Sequence, residues 1–437
     1  MKHITLLILL NILLLHAFGQ EIAHVFKNVK IYTINKPVIE NGALVIKDGK
    51  IIDVGVTGKV KIPSLAMEYD MNGKVIIPGM VDTHSHLGQG DGGDRSSALN
   101  PDVRIMDAIN PASDGFKRAL AGGITTLNIM PGSGHLMSGQ TVYLKLRGGN
   151  TIEDLLFCKN TQTEICGGMK MANGTNSINE KPFPGTRAKS AAMVRELFIR
   201  AQEYRQQIDD FYNNSKDDKE AKLPERDLQM EALVQILKGQ RIVHFHTHRH
   251  DDILTAIRLS QEFKFRLVLH HVSEGWKVAK EIAKAGVPAS IIVIDSPGGK
   301  LEAVYLLPDC GKYLEEAGVD VAFHTDDPIT DSRRFLRSAA IGVREGMSRE
   351  KALEALTLAG ARMLGLDKVI GSLEVGKDAD FVVLSGDPFS IYTKVEETWI
   401  EGLKVFDLKK PEDKKYAVGG YNVYRSKADT HVHIEEY

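Results

Sequence analysis

The sequence is short of cysteine and tryptophan and has no excess of either charge. Three Cys in 437 residues cannot staple a chain of this length, so a disulfide-built fold is excluded. Lys+Arg number 55 and Asp+Glu 57, a formal charge of −2, which argues against the basic surface that nucleic-acid binding needs. No G-x-G-x-x-G follows an early strand-like run, so nothing indicates a dinucleotide-binding opening. Internal repeats and low-complexity tracts are missing too. What remains is an ordinary globular composition, 43% hydrophobic and 26% charged, with 15 histidines, several of them clustered.

At the N-terminus, Lys2 precedes an apolar run from Ile4 to Leu15, and Ala17-Phe18-Gly19 forms a small-x-small signature. The run is too short for a comfortable membrane span. A secretory signal peptide over residues 1–20 is therefore expected, giving a periplasmic or secreted protein with no stable membrane anchor after cleavage. No Cys stands at the cleavage point, which argues against a lipoprotein. Cys158, Cys166 and Cys310 can pair at most once, and buried free thiols are the expectation.

Residues 22–75 read as short strands separated by turns, with Asp48-Gly49 as a hairpin signal. The style returns from about residue 371, in GSLEVGKDADFVVLSGD and VEETWIEGLKVFD. A small sheet assembled from both chain ends accounts for this. Between them, β-branched runs (KVIIPGMVD, GITTLNIM, EICGGMKMA, RIVHFHT, FRLVLHHV, VPASIIVI, VDVAFHTD, with TVYLKL as another candidate) alternate with helical stretches. That rhythm favours a parallel sheet, and about eight strands would close it into a barrel. A charged helical segment at 188–226 interrupts it, as a lid or a solvated decoration.

His84 and His86 follow an apolar strand and a Pro-Gly turn, with Asp82 just before them. An H-x-H pair on a strand puts both imidazoles on one face, at the barrel end where active sites form. Two convergent imidazoles suit zinc or a similar borderline metal. His244, His246, His248 and His250 alternate along VHFHTHRHDD, and pattern alone favours the middle pair. His270 and His271 are adjacent, so only one is expected to enter a shared site. Asp326 ends the last apolar strand, where an acid can bind metal or serve as a base. His324, deeper on the same face, reads as structural. Lys170 lies in an apolar strand, where a lysine is expensive unless paired or modified. An uncharged amine there can take up carbon dioxide as a carbamate, and a salt bridge is the plainer alternative.

Taken together, PGMVDTHSHLG, GITTLNIMPGSG, the paired-His strands, VAFHTDDP and GSLEVGKDADFVVLSGDP resemble the amidohydrolase superfamily, nearest its imidazolonepropionase-like branch with its prolidase-like members. The similarity covers nearly all of the mature chain. It implies a distorted (β/α)8 TIM-like barrel over 76–370 and a small β-sandwich domain from 21–75 and 371–437. It also implies one or two divalent metals, zinc foremost. Carried over residue by residue, His84, His86, His246, His271 and Asp326 are the implied metal ligands, with Lys170 as a bridging carbamate in a two-metal site. The implied reaction is attack of a metal-bound hydroxide on an amide-type carbonyl, with Asp326 as general base and acid. Dipeptides, cyclic amides and other small amides are all open as substrates, and a homo-oligomer is compatible with the sequence. Deamination, ester or lactone hydrolysis on the same barrel, or a non-catalytic scaffold, are the alternatives.

The loop MPGSGHLMSGQTV resembles a substrate-side loop of that branch. Gly132, Gly134 and Gly139 permit positive φ there, and His135 and Gln140 are substrate-binding candidates. Arg249 is a candidate for a carboxylate, with a structural ion pair as its competitor. Asp429-Thr430-His431-Val432-His433 nearly repeats the first histidine motif but lacks an apolar strand before it, and reads as surface tail.

Overall fold

The computed structural model describes residues 22–88, 90, 92–214, 222–293 and 301–418. The expected signal peptide and the repeated His motif at 429–433 lie outside the described residues. Among the described residues no helix is long and apolar enough to cross a membrane.

Strands β1 (Ala23–Ile31), β2 (Ile39–Lys47), β3 (Lys50–Val56), β4 (Ala66–Asp70) and β5 (Val75–Pro78) open the chain. β1 largely alternates buried and partly open positions, whereas β2 is buried without a break from Gly42 to Ile46. The β2–β3 turn places Asp48 and Gly49 at φ 49° and 72°, the two positive values that a two-residue hairpin matched to strand twist requires. The barrel strands follow: β6 (Met80–Ser85), β7 (Ile124–Ile129), β8 (Met137–Gln140), β9 (Val142–Lys145), β10 (Met169–Ala172), β11 (Val243–Thr247), β12 (Leu267–His271), β13 (Ala289–Ile291) and β14 (Val321–Phe323). β15 (Phe381–Leu384), β16 (Val395–Ile400) and β17 (Leu403–Asp407) finish the set.

The terminal strands form one eight-stranded sheet in the order β17-β16-β15-β5-β1-β2-β3, with β4 also on β1. β15 pairs antiparallel with β5, joining the two chain ends directly. Phe26 of β1 meets Trp399 of β16 at 5.1 Å and Phe381 of β15 at 5.0 Å between ring centroids. The layers facing each other across this core are thus halves of one continuous sheet that curls over its aromatic side chains.

In the barrel, β10 to β14 are consecutive parallel neighbours, and β6 is parallel to β7. The distortion sits where a third strand belongs. β9 runs antiparallel to β7, and β8, in a segment expected to be loop, runs antiparallel to β10. On the other side the wall closes through Asp326 N donating to His84 O at 2.9 Å. Asp82 ties the same seam, accepting from Thr325 N at 3.1 Å and Thr325 Oγ1 at 2.5 Å.

The inserted segment contains a helix at Arg187–Asn214. Val194, Leu197, Phe198 and Ala201 are its buried stripe, the spacing of one helix face. Phe198 stacks on Phe263 and Phe265. At the helix start Arg187 donates to Asp252 at 2.9 Å and to Glu302, so this end is anchored to the helix that follows β11 and to the short helical turn at Leu301–Ala303. The cysteine expectation is corrected: Cys158 and Cys166 are disulfide-bonded and only Cys310 is a buried free thiol. The pair sits eight residues apart in the segment between β9 and β10, where the chain turns back on itself at the surface.

Candidate metal centre

The six residues singled out as ligands come together at the carboxyl end of the barrel strands. His84 and His86 stand at the end of β6, on one face as the alternation requires. Asp326 Oδ1 is 3.4 Å from His84 Nε2 and 3.0 Å from His86 Nε2, and its Oδ2 is 3.8 Å from His271 Nε2. The His246 and His271 rings are 4.2 Å apart, and Lys170 Nζ lies 2.9 Å from His84 Nε2. Possible ligand atoms fall within 4.8 Å of one another in three sets: His84–His86–Asp326, His84–His271–His324 and His246–His248–His271.

Two backbone departures make this convergence. His271 and Val272 have φ of 70° and 53°, and Asp326 has 49°. Such left-handed values at a β-branched residue and two others with side chains are costly, of order 1–3 kcal/mol each. The first pair falls at the end of β12, and Asp326 lies three residues past β14. Of the adjacent pair His270 and His271, His271 stands in two of these sets and His270 in none, although both rings lie 5.0 Å from His84.

The surrounding contacts fix ring orientation. His86 Nδ1 is 2.9 Å from Met130 O. A carbonyl only accepts, so Nδ1 carries the hydrogen and Nε2 turns a lone pair toward the Asp326 oxygen. Two acceptors 3.0 Å apart call for a cation between them. His324 Nδ1 bonds Ser290 Oγ at 2.8 Å, which meets Thr83 Oγ1 at 2.6 Å. Its Nε2, buried beside His84 and His271, meets no hydrogen-bond partner. Such a nitrogen costs about 1–3 kcal/mol unless something satisfies it. Imidazole nitrogens and a carboxylate in this arrangement fit a divalent metal of the zinc type.

Burial pushes the His84 and His270 imidazoles well below their usual range and brings His244 and His324 down to about 3, so these rings are neutral, as ligands must be. At Asp326 burial would favour the acid, but the groups facing it, His86 first, outweigh burial and hold it well below the usual carboxylate range. Asp82 is the reverse: burial lifts it to about 7 against bonds from Thr325 and His84.

The substrate-side candidates are placed differently. His135 is buried, its ring 5.1 Å from Phe183. It fits because residue 93 is glycine; a Cβ there would lie 2.6 Å from the His135 ring. Gln140 is on β8 and donates to Pro101 O at 3.0 Å. Arg249 holds Asp251 through two nitrogens, at 3.0 and 2.8 Å. Asp82 and His270 are the groups that sequence reasoning left without a role. Asp82 shares the 82-84-86 face and was legible, whereas the contact of His270 with His244 on the neighbouring strand was not.

The amidohydrolase family model matches residues 75–410. The chain is similar to the crystal structure of an amidohydrolase from Thermotoga maritima MSB8, 32% identical with a TM-score of 0.80, covering 88% of this chain and all of that one. It is 28% identical over 383 residues to the amidohydrolase tasK of Hapsidospora irregularis, matching 80% of this chain but only 39% of that longer protein. It is 25% identical over 395 residues to an imidazolonepropionase of Alkaliphilus metalliredigens, covering 80% of this chain and 85% of the other.

Proposed function

This chain belongs to the amidohydrolase family, whose members are hydrolases of C–N bonds, and from that premise we propose that it cleaves the amide bond of a dipeptide, cyclic amide or other small amide at a two-metal centre. The observation that carries the reading is the convergence of His84, His86, His246, His271, Lys170 and Asp326, with the Nε2 of His86 and an oxygen of Asp326 facing each other as acceptors. His84, His86 and Asp326 would hold one ion, and His246 and His271 the other. Lys170, carboxylated on Nζ, would bridge them. Zinc is the ion the donor set suits best.

A metal in this position supplies Lewis acidity toward a carbonyl oxygen and lowers the pKa of water. The residues do the rest. Asp326, held as a carboxylate, accepts the proton of the attacking water and returns it to the leaving nitrogen. Met130 O fixes the His86 ring, and Ser290 with Thr83 fixes His324, so the donors need not reorganise during the reaction. His135 and Phe183 would border the substrate. The apolar N-terminal run and the Cys158–Cys166 bond support an oxidising destination, periplasmic or secreted, which cell fractionation and the mass of the mature N-terminus would check.

The test is hydrolysis of a panel of proline-containing dipeptides, cyclic amides and N-acyl compounds by zinc-loaded protein, with bound metal counted in parallel. Turnover that is lost on chelation and restored by zinc is expected. Asp326→Asn should lower kcat by about 10²–10⁴-fold with the fold intact. Purified protein that binds no zinc, manganese or iron and is not activated by them would sink the reading.

A further inference from the structure

A cavity of about 320 Å³ lies where the barrel meets the terminal sheet, and no residue of the metal centre lines it. Small-molecule sites begin at about this size, roughly 300–1,000 Å³. Four segments distant in sequence supply most of its wall. They are the end of the helix Asp114–Ala121, the start of the helix Phe335–Arg344, the chain from Pro388 to Val395, and the end of the helix Pro411–Val418.

These segments are fastened to one another. Thr398 Oγ1 donates to Leu120 O at 2.7 Å, and the Tyr416 hydroxyl donates to Asp114 Oδ1 at 3.0 Å. At Gly122 an added Cβ would lie 2.2 Å from Ser332 O, so glycine is what lets the Arg333–Arg334 turn close on the first of these helices. Protein contacts alone hold the walls in place.

The lining carries charge of one sign. Arg333, Arg334, Arg337 and Lys394 line the cavity, and among the described residues no Asp or Glu does. The chain as a whole has 55 Lys+Arg against 57 Asp+Glu, so this wall departs sharply from its average. Arg333 is engaged by Asp331, its Nε 2.9 Å from Oδ1. Arg334 and Lys394 are exposed and form no ion pair among the described residues. A cleft of one sign with low-dielectric walls focuses its field and concentrates ions of the opposite charge. Buried Leu336 and Val395 give the same cavity an apolar side.

We propose that this cavity binds a small amphiphilic carboxylate, its head held by Arg334 and Lys394 and its apolar body laid against Leu336 and Val395. The planar guanidinium fork matches a carboxylate. A bare anion would leave the apolar side wet, and an uncharged molecule would leave two cations unmatched. The cavity therefore selects for both features in one ligand, and it does so independently of the metal centre.

The test is titration calorimetry of the full chain, zinc-loaded and metal-free, with octanoate, octanamide and acetate. Octanoate should bind once per chain in both forms, with octanamide and acetate weaker by about tenfold or more. Replacing Arg334→Gln and Lys394→Gln together should weaken octanoate by about tenfold or more and leave the metal content unchanged. Should that double variant fail to fold, Lys394→Glu repeats the test at one exposed side chain, with the same loss expected. No octanoate binding by the parent, equal binding of octanamide, or binding lost with the metal would overturn the proposal. Parent-like affinity in the folded variant would do the same. So would phosphatidylglycerol vesicles that retain a protein to which free octanoate does not bind, since the face would then be a lipid contact.

Discussion

Two lysines of the barrel wall, Lys145 and Lys170, are both completely buried, and their surroundings have little in common. Lys145, on β9, is ringed by carboxylates: it pairs with Asp378, lies 3.0 Å from Asp380 and 3.2 Å from Glu401. Arg147 and Lys50 complete the group, on Glu401 and Asp378. Burial alone would discharge the Lys145 amine, but these acids reverse the effect and hold its pKa above the usual value. This is a structural cation fastening the barrel to the terminal sheet. Lys170, on β10, has its nitrogen against an imidazole nitrogen at 2.9 Å and the Met130 sulfur at 3.5 Å. The same residue type on neighbouring walls is a bolt in one place and a candidate for chemical modification in the other. Burial does not distinguish the two; the company does.

The contrast can be broken by exchanging each lysine for methionine. Lys170→Met should lower kcat/KM by about 10³-fold or more and reduce the bound metal, since it removes the bridge of a site whose ions contribute several kcal/mol. Its metal-free form should melt at or above the parent's temperature, because an apolar side chain replaces an unneeded amine. A large destabilisation would make Lys170 a second bolt. Lys145→Met should instead cost about 3–5 kcal/mol in urea unfolding, because Asp378 and Asp380 are left buried without their cation; the metal content of the folded fraction should not change. The smallest effect concerns Glu401, which its bond to Arg147 helps hold down to about 2. Its folded pKa is depressed, so its contribution is present above the unfolded value of roughly 4.3 and fades as pH falls toward 2. Glu401→Gln should flatten that part of the stability-versus-pH curve. Asp380 titrates nearby, pushed upward by burial, so the difference between the two proteins carries the test. A parallel loss of stability in both would exclude Glu401.

Much of this was readable before any coordinates. Period-two alternation and the barrel rule put His84, His86 and Asp326 at one mouth, and the family resemblance chose His246 and His271 where alternation left the choice open. The Asp48-Gly49 hairpin followed from local turn chemistry. What alternation could not show was which of His270 and His271 supplies a ligand: His271 stands in the ligand sets with a left-handed backbone, and no pattern marks it. β8 reads as loop in the sequence because MPGSGHLMSGQ is rich in glycine and serine, while its pairing with β10 is a tertiary matter. The Lys145 cluster was equally hidden. It joins residues 145, 378, 380 and 401, and only the folded chain puts one beside another. The Cys158–Cys166 bond was missed because cysteine count limits the number of bridges without saying whether one forms.

The pairing of β5 with β15 also has a bearing on how this protein must be made. The first strands of the sheet leave the ribosome early, yet the edge of β5 waits for Phe381–Leu384, which arrive only after the whole barrel has been synthesised. Until then β5 presents an open edge of apolar residues, the kind of surface that recruits other chains. A ligand set running from His84 to Asp326 is likewise complete only late. Correct assembly therefore depends on the chain being held apart from its neighbours until its last strands arrive. Truncation before β15 should yield aggregate rather than a smaller enzyme.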